Sequence, residues 1–585
     1  MARARLACAV AATLCLLAPG FASAADRFVA TTGTDVSNNC LDAANPCATV
    51  VQAVSMSNAS GDVIHIGPGT YTGAINTAHS IDFEGAGAGT TTSTAGATVI
   101  NVAANAAFKL TGGGTLRNLQ AVGGTSADGA LELETPGTGP VRAYTVANVV
   151  AIGNSCMGCA AFKLRDTGAG APTQLTATVT DSSFVAQGDN AGTVFTQTAN
   201  ADFARDSLTA EAGAIGGLLV EFGTVNFSDG SIGTPGLGGG GAEVGGGGTG
   251  NFTRSRLAGF QALYVDGGMG HATATVTDSV AVATIAGALV LNDAAVTTRG
   301  STFVAEGTGA ALGARLTAST AGDASLSSVN SIFRVHGGSV PGIDVKTVYA
   351  TGHTATFTAG NSNYTTVDTS EGGTITPPGS GTNVSGDPGF VNEAGGDFRL
   401  AAGSPLIDRG ADPLVAETDV RGVTRAVDGN CDGVTVPDIG AFEFVPTCPP
   451  KATAAGVPTL SKVHMTHTRF RVGKPGAARA PKGTRFVYTL SAPAKVTITI
   501  QRKTAGRKKG KRCVKPRRGL HKRCTRYVRK GALTAQSKAG QNSVGFSGKL
   551  GRHKLSPGRY RATLVAVDSA GKSKPRRLSF TIVRR

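Results

Sequence analysis

The heptapeptide Thr-Ala-Thr-Val-Thr-Asp-Ser occurs twice, at 176–182 and at 273–279, and that recurrence limits the fold more than any other feature. With its Asp as the marker, turn-like positions recur at Asn118, Asn148, Asp181, Asp206, Asp229, Arg254, Asp278, Arg299, Asn330 and Asn361, at intervals of 21 to 33 residues. Between them lie short β-prone runs such as Phe184-Val185, Leu289-Val290-Leu291 and Ile332-Phe333. No 3.6-residue apolar stripe accompanies them, so each repeat is one coil of strands and turns. A single coil cannot bury its own apolar face, and coils must therefore stack. The expected fold is all-β: a right-handed parallel β-helix whose Asn and Asp side chains hydrogen-bond down a turn, where they tolerate left-handed backbone. About a dozen coils spaced at ~4.8 Å would make a rod of ~60 Å. Leucine-rich repeats share the period, but their consensus is missing. An array of β-sandwiches is the alternative architecture.

Composition agrees. Gly and Pro together make 107 of 585 residues, there is no Trp, and only 16% of residues are charged. A coiled coil or helical bundle is thereby excluded. With 41% hydrophobic residues the chain has the means to build a core, which excludes wholesale disorder.

Charge divides the chain. From residue 451 on there are 36 Lys and Arg and one acid, Asp568, a net +35; residues 1–450 hold 19 bases and 37 acids, a net −18. Two bodies of opposite charge imply two domains with different partners. The expected boundaries are a signal peptide at 1–24, an N-terminal cap at 25–60, the β-helix at 61–380, a closing module at 381–446, a linker at 447–457 and a basic β-sandwich at 458–585. The signal reading rests on Arg3 and Arg5, the apolar stretch Leu6 to Pro19 and the small residues Ala22-Ser23-Ala24. The expectation is an exported chain without a transmembrane segment after cleavage. Outside the signal the eight cysteines fall into four local couples, Cys40/Cys47, Cys156/Cys159, Cys431/Cys448 and Cys513/Cys524, read as disulfides closing surface loops. The cap is expected to carry a helix over Ala48–Ser57, entered through Asn45-Pro46, with Val50, Val51 and Val54 on one side.

The stretch Gly61-Asp62-Val63-Ile64-His65-Ile66-Gly67-Pro68-Gly69-Thr70-Tyr71, following that helix, resembles the opening of right-handed β-helix proteins of the pectin-lyase-like superfamily. Asp387-Pro388-Gly389-Phe390, Asp397-Phe398-Arg399-Leu400, Ser404 to Gly410, Asp419-Val420-Arg421-Gly422 and Asp438 to Glu443 resemble the choice-of-anchor closing module of bacterial surface β-helix proteins. The resemblance spans roughly 26–446; a sorting signal that often follows in that family is not recognisable here. Residues 457–585 alternate apolar and polar over short runs, such as Val496 to Ile500, and read as an immunoglobulin-like sandwich. The segment Leu555 to Gly571 resembles late strands of bacterial Ig-like surface modules.

Some members of that superfamily are polysaccharide lyases or hydrolases. A lyase needs a base beside a carboxylate and cations for the enolate-like charge; a hydrolase needs paired carboxylates. The scattered candidates are Lys163, Arg165, Arg205, Asp206, Arg254, Arg256 and Arg299. No catalytic residue is assigned, because no hydrolase or lyase signature is recognisable. The glycine run at 236–248 lacks the Gly-Lys-Ser/Thr of a phosphate loop and reads as a loop or thin coil wall. Asp428, Asn430 and Asp432, followed by Gly433 and then Asp438, match the start of a structural calcium loop, the other reading being an Asx-rich turn locked by Cys431. Arg502 to Lys530 holds 15 Lys or Arg in 29 residues. It is read as a loop pinned by Cys513 and Cys524, with Arg507, Lys508, Lys509, Lys511, Arg512, Lys515, Arg517, Arg518, Lys522 and Arg523 as polyanion-binding residues. Nucleic acid is disfavoured, since Tyr527 is the loop's one aromatic. The expected function is a monomeric, non-catalytic cell-surface or extracellular protein, binding carbohydrate or acting as an adhesin. Its basic domain would contact an anionic cell-envelope polymer. The alternative is a polysaccharide lyase or glycoside hydrolase.

Overall fold

The computed structural model describes residues 24–584 except 58–60, 124–128, 138, 155–159, 169–173, 188–191, 212–215, 234–238, 308–310, 338–341, 412–416, 449–456 and 474–480. The signal segment, Cys156, Cys159 and most of the expected linker lie outside the described residues. The chain divides into two compact units, 1–447 and 448–585.

The first unit is a right-handed parallel β-helix. Each coil contributes one strand to each of three parallel sheets. In one complete coil these are Asn200–Ala204, Ser207–Ala210 and Gly216–Glu221, and each pairs in register with the equivalent strand of the next coil. Alternation follows the two-residue period, so every second side chain points into the coil. Identical positions then stack. Phe203, Phe227 and Phe252 occupy one register column, with Phe203 and Phe227 centred 6.0 Å apart, and Phe303 and Phe333 stack at 5.1 Å further along. Full burial of each ring contributes about 1.5–3 kcal/mol.

The turn between the first and second sheets carries the repeat. Asn118, Asn148, Asp181, Arg205, Asp229, Arg254, Asp278, Gly300, Asn330 and Asn361 all adopt left-handed backbone there. Eight of the ten sequence markers are therefore right, and two slip by one residue: Arg205 rather than Asp206, and Gly300 rather than Arg299, holds the turn. Outside the turn the side chains pair along the stack. Asn148 donates to Asn118 at 2.9 Å, Arg205 forks onto Asp181 at 2.6 Å, and Arg254 forks onto Asp229.

The next residue points inward and is a buried serine in six coils: Ser182, Ser255, Ser279, Ser301, Ser331 and Ser362. The amide of Ser255 donates to Ser279 Oγ, that of Ser279 to Ser301 Oγ, that of Ser301 to Ser331 Oγ, and that of Ser331 to Ser362 Oγ. Each hydroxyl in turn donates to the carbonyl two residues back, as Ser279 does to Thr277. This ladder satisfies buried amides that the tight turn removes from the sheets. Asp206 replaces serine in one rung, accepting from the Ser182 amide at 2.7 Å.

The N-terminal end is plugged by the helix Val50–Met56. It starts later than the sequence suggests, because Asn45 and Pro46 belong to the turn closed by the Cys40–Cys47 disulfide, and Thr49 caps the helix instead. Val50 and Ala53 face the core, whereas Val51 is 44% exposed, correcting its expected place on the buried side.

The described residues of 381–446 pack on the outer face of the second sheet. Val280, Val282 and Val304 meet Phe398 and Ala441, and Ile332 meets Leu400, Leu406 and Ile439. A fully buried Arg425 fastens this segment: its Nε donates to Asp278 Oδ1 at 2.7 Å and its Nη2 to the carbonyls of Gly300 and Gly440. Arg425 thus supplies the arginine that the coil omits at Gly300. A Cβ at Gly300 would lie 2.5 Å from Asp278 Oδ1 and 2.8 Å from Arg425 Nη2.

The second unit is a β-sandwich, antiparallel except where Arg469–Phe470 runs parallel to Arg576–Ile582. One sheet is formed by Leu460–Met465, Thr484–Leu490 and Gly540–Phe546. The other runs through Arg469–Phe470, Arg576–Ile582, Gly558–Asp568, Ala494–Lys509 and Arg523–Ser537. Phe470, Phe486, Tyr488, Ile498, Leu564 and Phe580 are among the residues that fill the core between them. The sequence reading of 502–530 as a loop is corrected here. Ala494–Lys509 and Arg523–Ser537 are paired from Ala494↔Ser537 to Arg507↔Arg523, and Arg512–Val514 folds back onto Arg507–Lys509. The segment is a β-arm.

Candidate functional site

The outward face of the third sheet carries a groove of about 500 Å³. Parallel stacking builds its floor: Lys163, Phe195, Leu219, Glu243 and Tyr264 stand in one register column across five coils. Phe195, Leu219 and Tyr264 are half-buried, leaving apolar faces open. Gly192, Gly216 and Gly240 align beside them and keep the groove deep by adding no side chain.

Polar groups rim this floor. Arg165 Nε donates to Gln197 Oε1 at 3.1 Å, and Gln197 Nε2 donates to Glu221 Oε2 at 3.3 Å, making a ladder across three coils. Lys163 Nζ lies 3.8 Å from Glu132. Tyr264 donates its hydroxyl to Asp266 Oδ2 at 2.9 Å; burial and that carboxylate push its pKa up. Desolvation in the groove, with Glu221 and Asp266 nearby, also raises the Glu243 carboxyl above its ordinary range. The lining is two-sided: apolar faces of Phe195 and Leu219 lie beside the amides of Gln197 and Gln261, which donate and accept, and the Glu243 carboxyl.

Of the residues singled out in the sequence, Lys163 and Arg165 reach the groove. Arg205 and Arg254 do not reach it: each is paired with an aspartate one coil back. Arg299 pairs with Glu417 at 3.3 Å, and Asp206 is buried in the serine ladder. Arg256 stands exposed on the second sheet, away from the groove. Phe195, Leu219 and Tyr264 were not singled out. A signal exists, since Phe195, Leu219 and Glu243 each follow the left-handed residue of their coil by 14 positions. Of the glycine run, residues 239–248 are described: Gly240–Gly245 is a strand of the third sheet, which fits a thin coil wall, and Gly246–Gly247 is a turn.

The Asp428 loop is held by its own backbone. Asp428 accepts from the amides of Asp432 and Gly433, Asn430 from Asp432, and Asp432 from Val434. Asp438 lies elsewhere, buried and accepting from Asp408 and Phe444 amides. Burial, with the Asp408 carboxylate nearby, raises its pKa. Among the described residues no group of three or more His, Cys, Asp or Glu is arranged to hold a metal ion. Cys513 and Cys524 are bridged, and Cys431 and Cys448 are each disulfide-bonded. Among the described residues no helix is long and apolar enough to cross a membrane.

No family model and no curated protein matches the chain. Four solved chains match, among them pectate lyase Pel9A, at 14% identity and a TM-score of 0.33, over 73% of this chain and 98% of that one.

Proposed function

We propose that this is an exported carbohydrate-binding protein whose third-sheet groove holds a glycan chain lying across the coils. One observation carries the reading: an open apolar floor of Phe195, Leu219 and Tyr264, flanked by amide and carboxylate groups, in a single groove. Sugar rings have the same two-sided chemistry. The segment 381–446 acts as a surface-type closing module, and the basic unit is an immunoglobulin-like sandwich that contacts an anionic envelope polymer. The cleavable 1–24 signal and the cysteine couples support an extracellular or cell-surface location.

The test is affinity against a panel of neutral and uronate oligosaccharides, with Phe195→Ala and Tyr264→Ala beside the native protein. A bound glycan whose affinity falls at least tenfold in both variants supports the proposal. Binding untouched by both variants refutes the groove. Unsaturated or reducing ends appearing during incubation would convert the binder into a lyase or hydrolase.

A further inference from the structure

The basic arm is ordered by strand pairing, and its register sorts the cations. On one face Gln501 aligns with Arg529 and Arg561, Lys503 with Tyr527, Ala505 with Thr525, Arg507 with Arg523, and Lys509 with Arg512. Successive rows on one face are ~6.8 Å apart. Two cation clusters therefore stand on this face, Arg507, Arg523, Lys509 and Arg512 at the tip and Arg529, Arg561 and Lys503 at the base. The uncharged row Ala505–Thr525 separates them. Lys503, Ala505, Arg507, Arg523, Thr525 and Arg559 line a cavity of about 730 Å³ along it.

These charges have no internal counter-ions. Among the described residues every ion pair lies in the first unit, and the sole acid of the second, Asp568, is spent on the amides of Ala570 and Gly571. Self-repulsion on this scale is relieved by dissolved counter-ions or by an anionic partner that displaces them. The arm's single aromatic is occupied: the Arg561 guanidinium lies 3.6 Å from the Tyr527 ring centroid. No Phe, Tyr or Trp of the arm is left for a base to stack on. The disulfide Cys513–Cys524 lies over Gly506, where a Cβ would be 2.5 Å from Cys513 Sγ, and it pins the folded-back strand that carries Arg512.

We infer that this face of the arm docks an acidic polysaccharide, with carboxylates on the two arginine-rich clusters and sugar rings over the Ala505–Thr525 row. The inference rests on the reading that the basic unit contacts anionic polymers, and adds the face and the polymer chemistry.

The test uses the full chain, with polygalacturonate and a single-stranded oligonucleotide of matched charge number as probes. Arg507→Gln/Lys509→Gln/Arg523→Gln is compared with a control of equal charge change, Lys549→Gln/Lys572→Gln/Arg577→Gln. The arm triple is expected to weaken polygalacturonate binding at least tenfold and to reduce the log–log salt slope by about 2–3, at roughly 0.7–0.9 per lost contact. The control is expected to stay within about twofold. Equal losses in both triples, or tighter binding of the oligonucleotide, overturns the inference while leaving an anionic partner. Retention of neither polymer overturns the anionic-polymer reading itself.

Discussion

Replacing Asp206 by serine tests the inward ladder at its one charged rung. Asp206 is 2% exposed, its Oδ1 accepts from the Ser182 amide, and its Oδ2 is buried without a hydrogen-bond partner. Burial pushes its pKa up to about 7, from 3.8. The folded state therefore binds this proton more tightly than the unfolded chain does. The stability it contributes is complete below pH ~3.8 and is lost as pH rises through about 7. At 1.36 kcal/mol per pKa unit, the shift corresponds to about 4 kcal/mol of pH-dependent destabilisation, an upper figure since the β-helix can relax locally. Serine makes the rung like its neighbours, its Oγ accepting from Ser182 and its hydroxyl donating to Ala204. Denaturant unfolding of Asp206→Ser and the native chain at pH 4 and pH 8 measures the difference. The variant is expected to gain several kcal/mol at pH 8 and far less at pH 4. A stability difference that is the same at both pH values would refute the reasoning.

Other outcomes follow from individual contacts. Arg425→Met leaves Asp278 and Glu443 buried without their cation, and is expected to cost about 3–5 kcal/mol and to open residues 381–446 to limited proteolysis. Gly506→Ala places a methyl against the Cys513 sulfur, and is expected to disturb the arm while leaving the sandwich core intact, read as a free-thiol titre above the native value with an unchanged melting transition. Arg205→Ala removes an exposed fork onto Asp181, and thermal unfolding is expected to be little changed, since exposed ion pairs contribute little.

The stacking was legible because left-handed turns restrict residue choice. Asn and Asp fill most of them, so the period stood out, and the reading slipped only where Arg205 and Gly300 occupy that backbone. The serine that follows the marker was visible as a letter, but its role required knowing that its hydroxyl meets the amide of the preceding coil. The groove was less legible. Phe195, Leu219 and Tyr264 lie 24 and 45 residues apart and become neighbours only through register. The basic arm was misread as a loop because both of its faces are solvated, so the strands beyond Arg502 have no apolar alternation to betray them. Arg425 sits 147 residues from the aspartate it neutralises, and no local pattern announces such a pairing.

Hydrogen exchange with and without a bound oligosaccharide tests the central claim most directly. Slowed exchange should appear in Ala160–Asp166, Gly192–Gln197, Gly216–Glu221, Gly240–Gly245 and residues 261–266, the stretches whose outward faces form the groove. Protection confined to the other two sheets of the β-helix, or to the basic unit alone, would contradict the account.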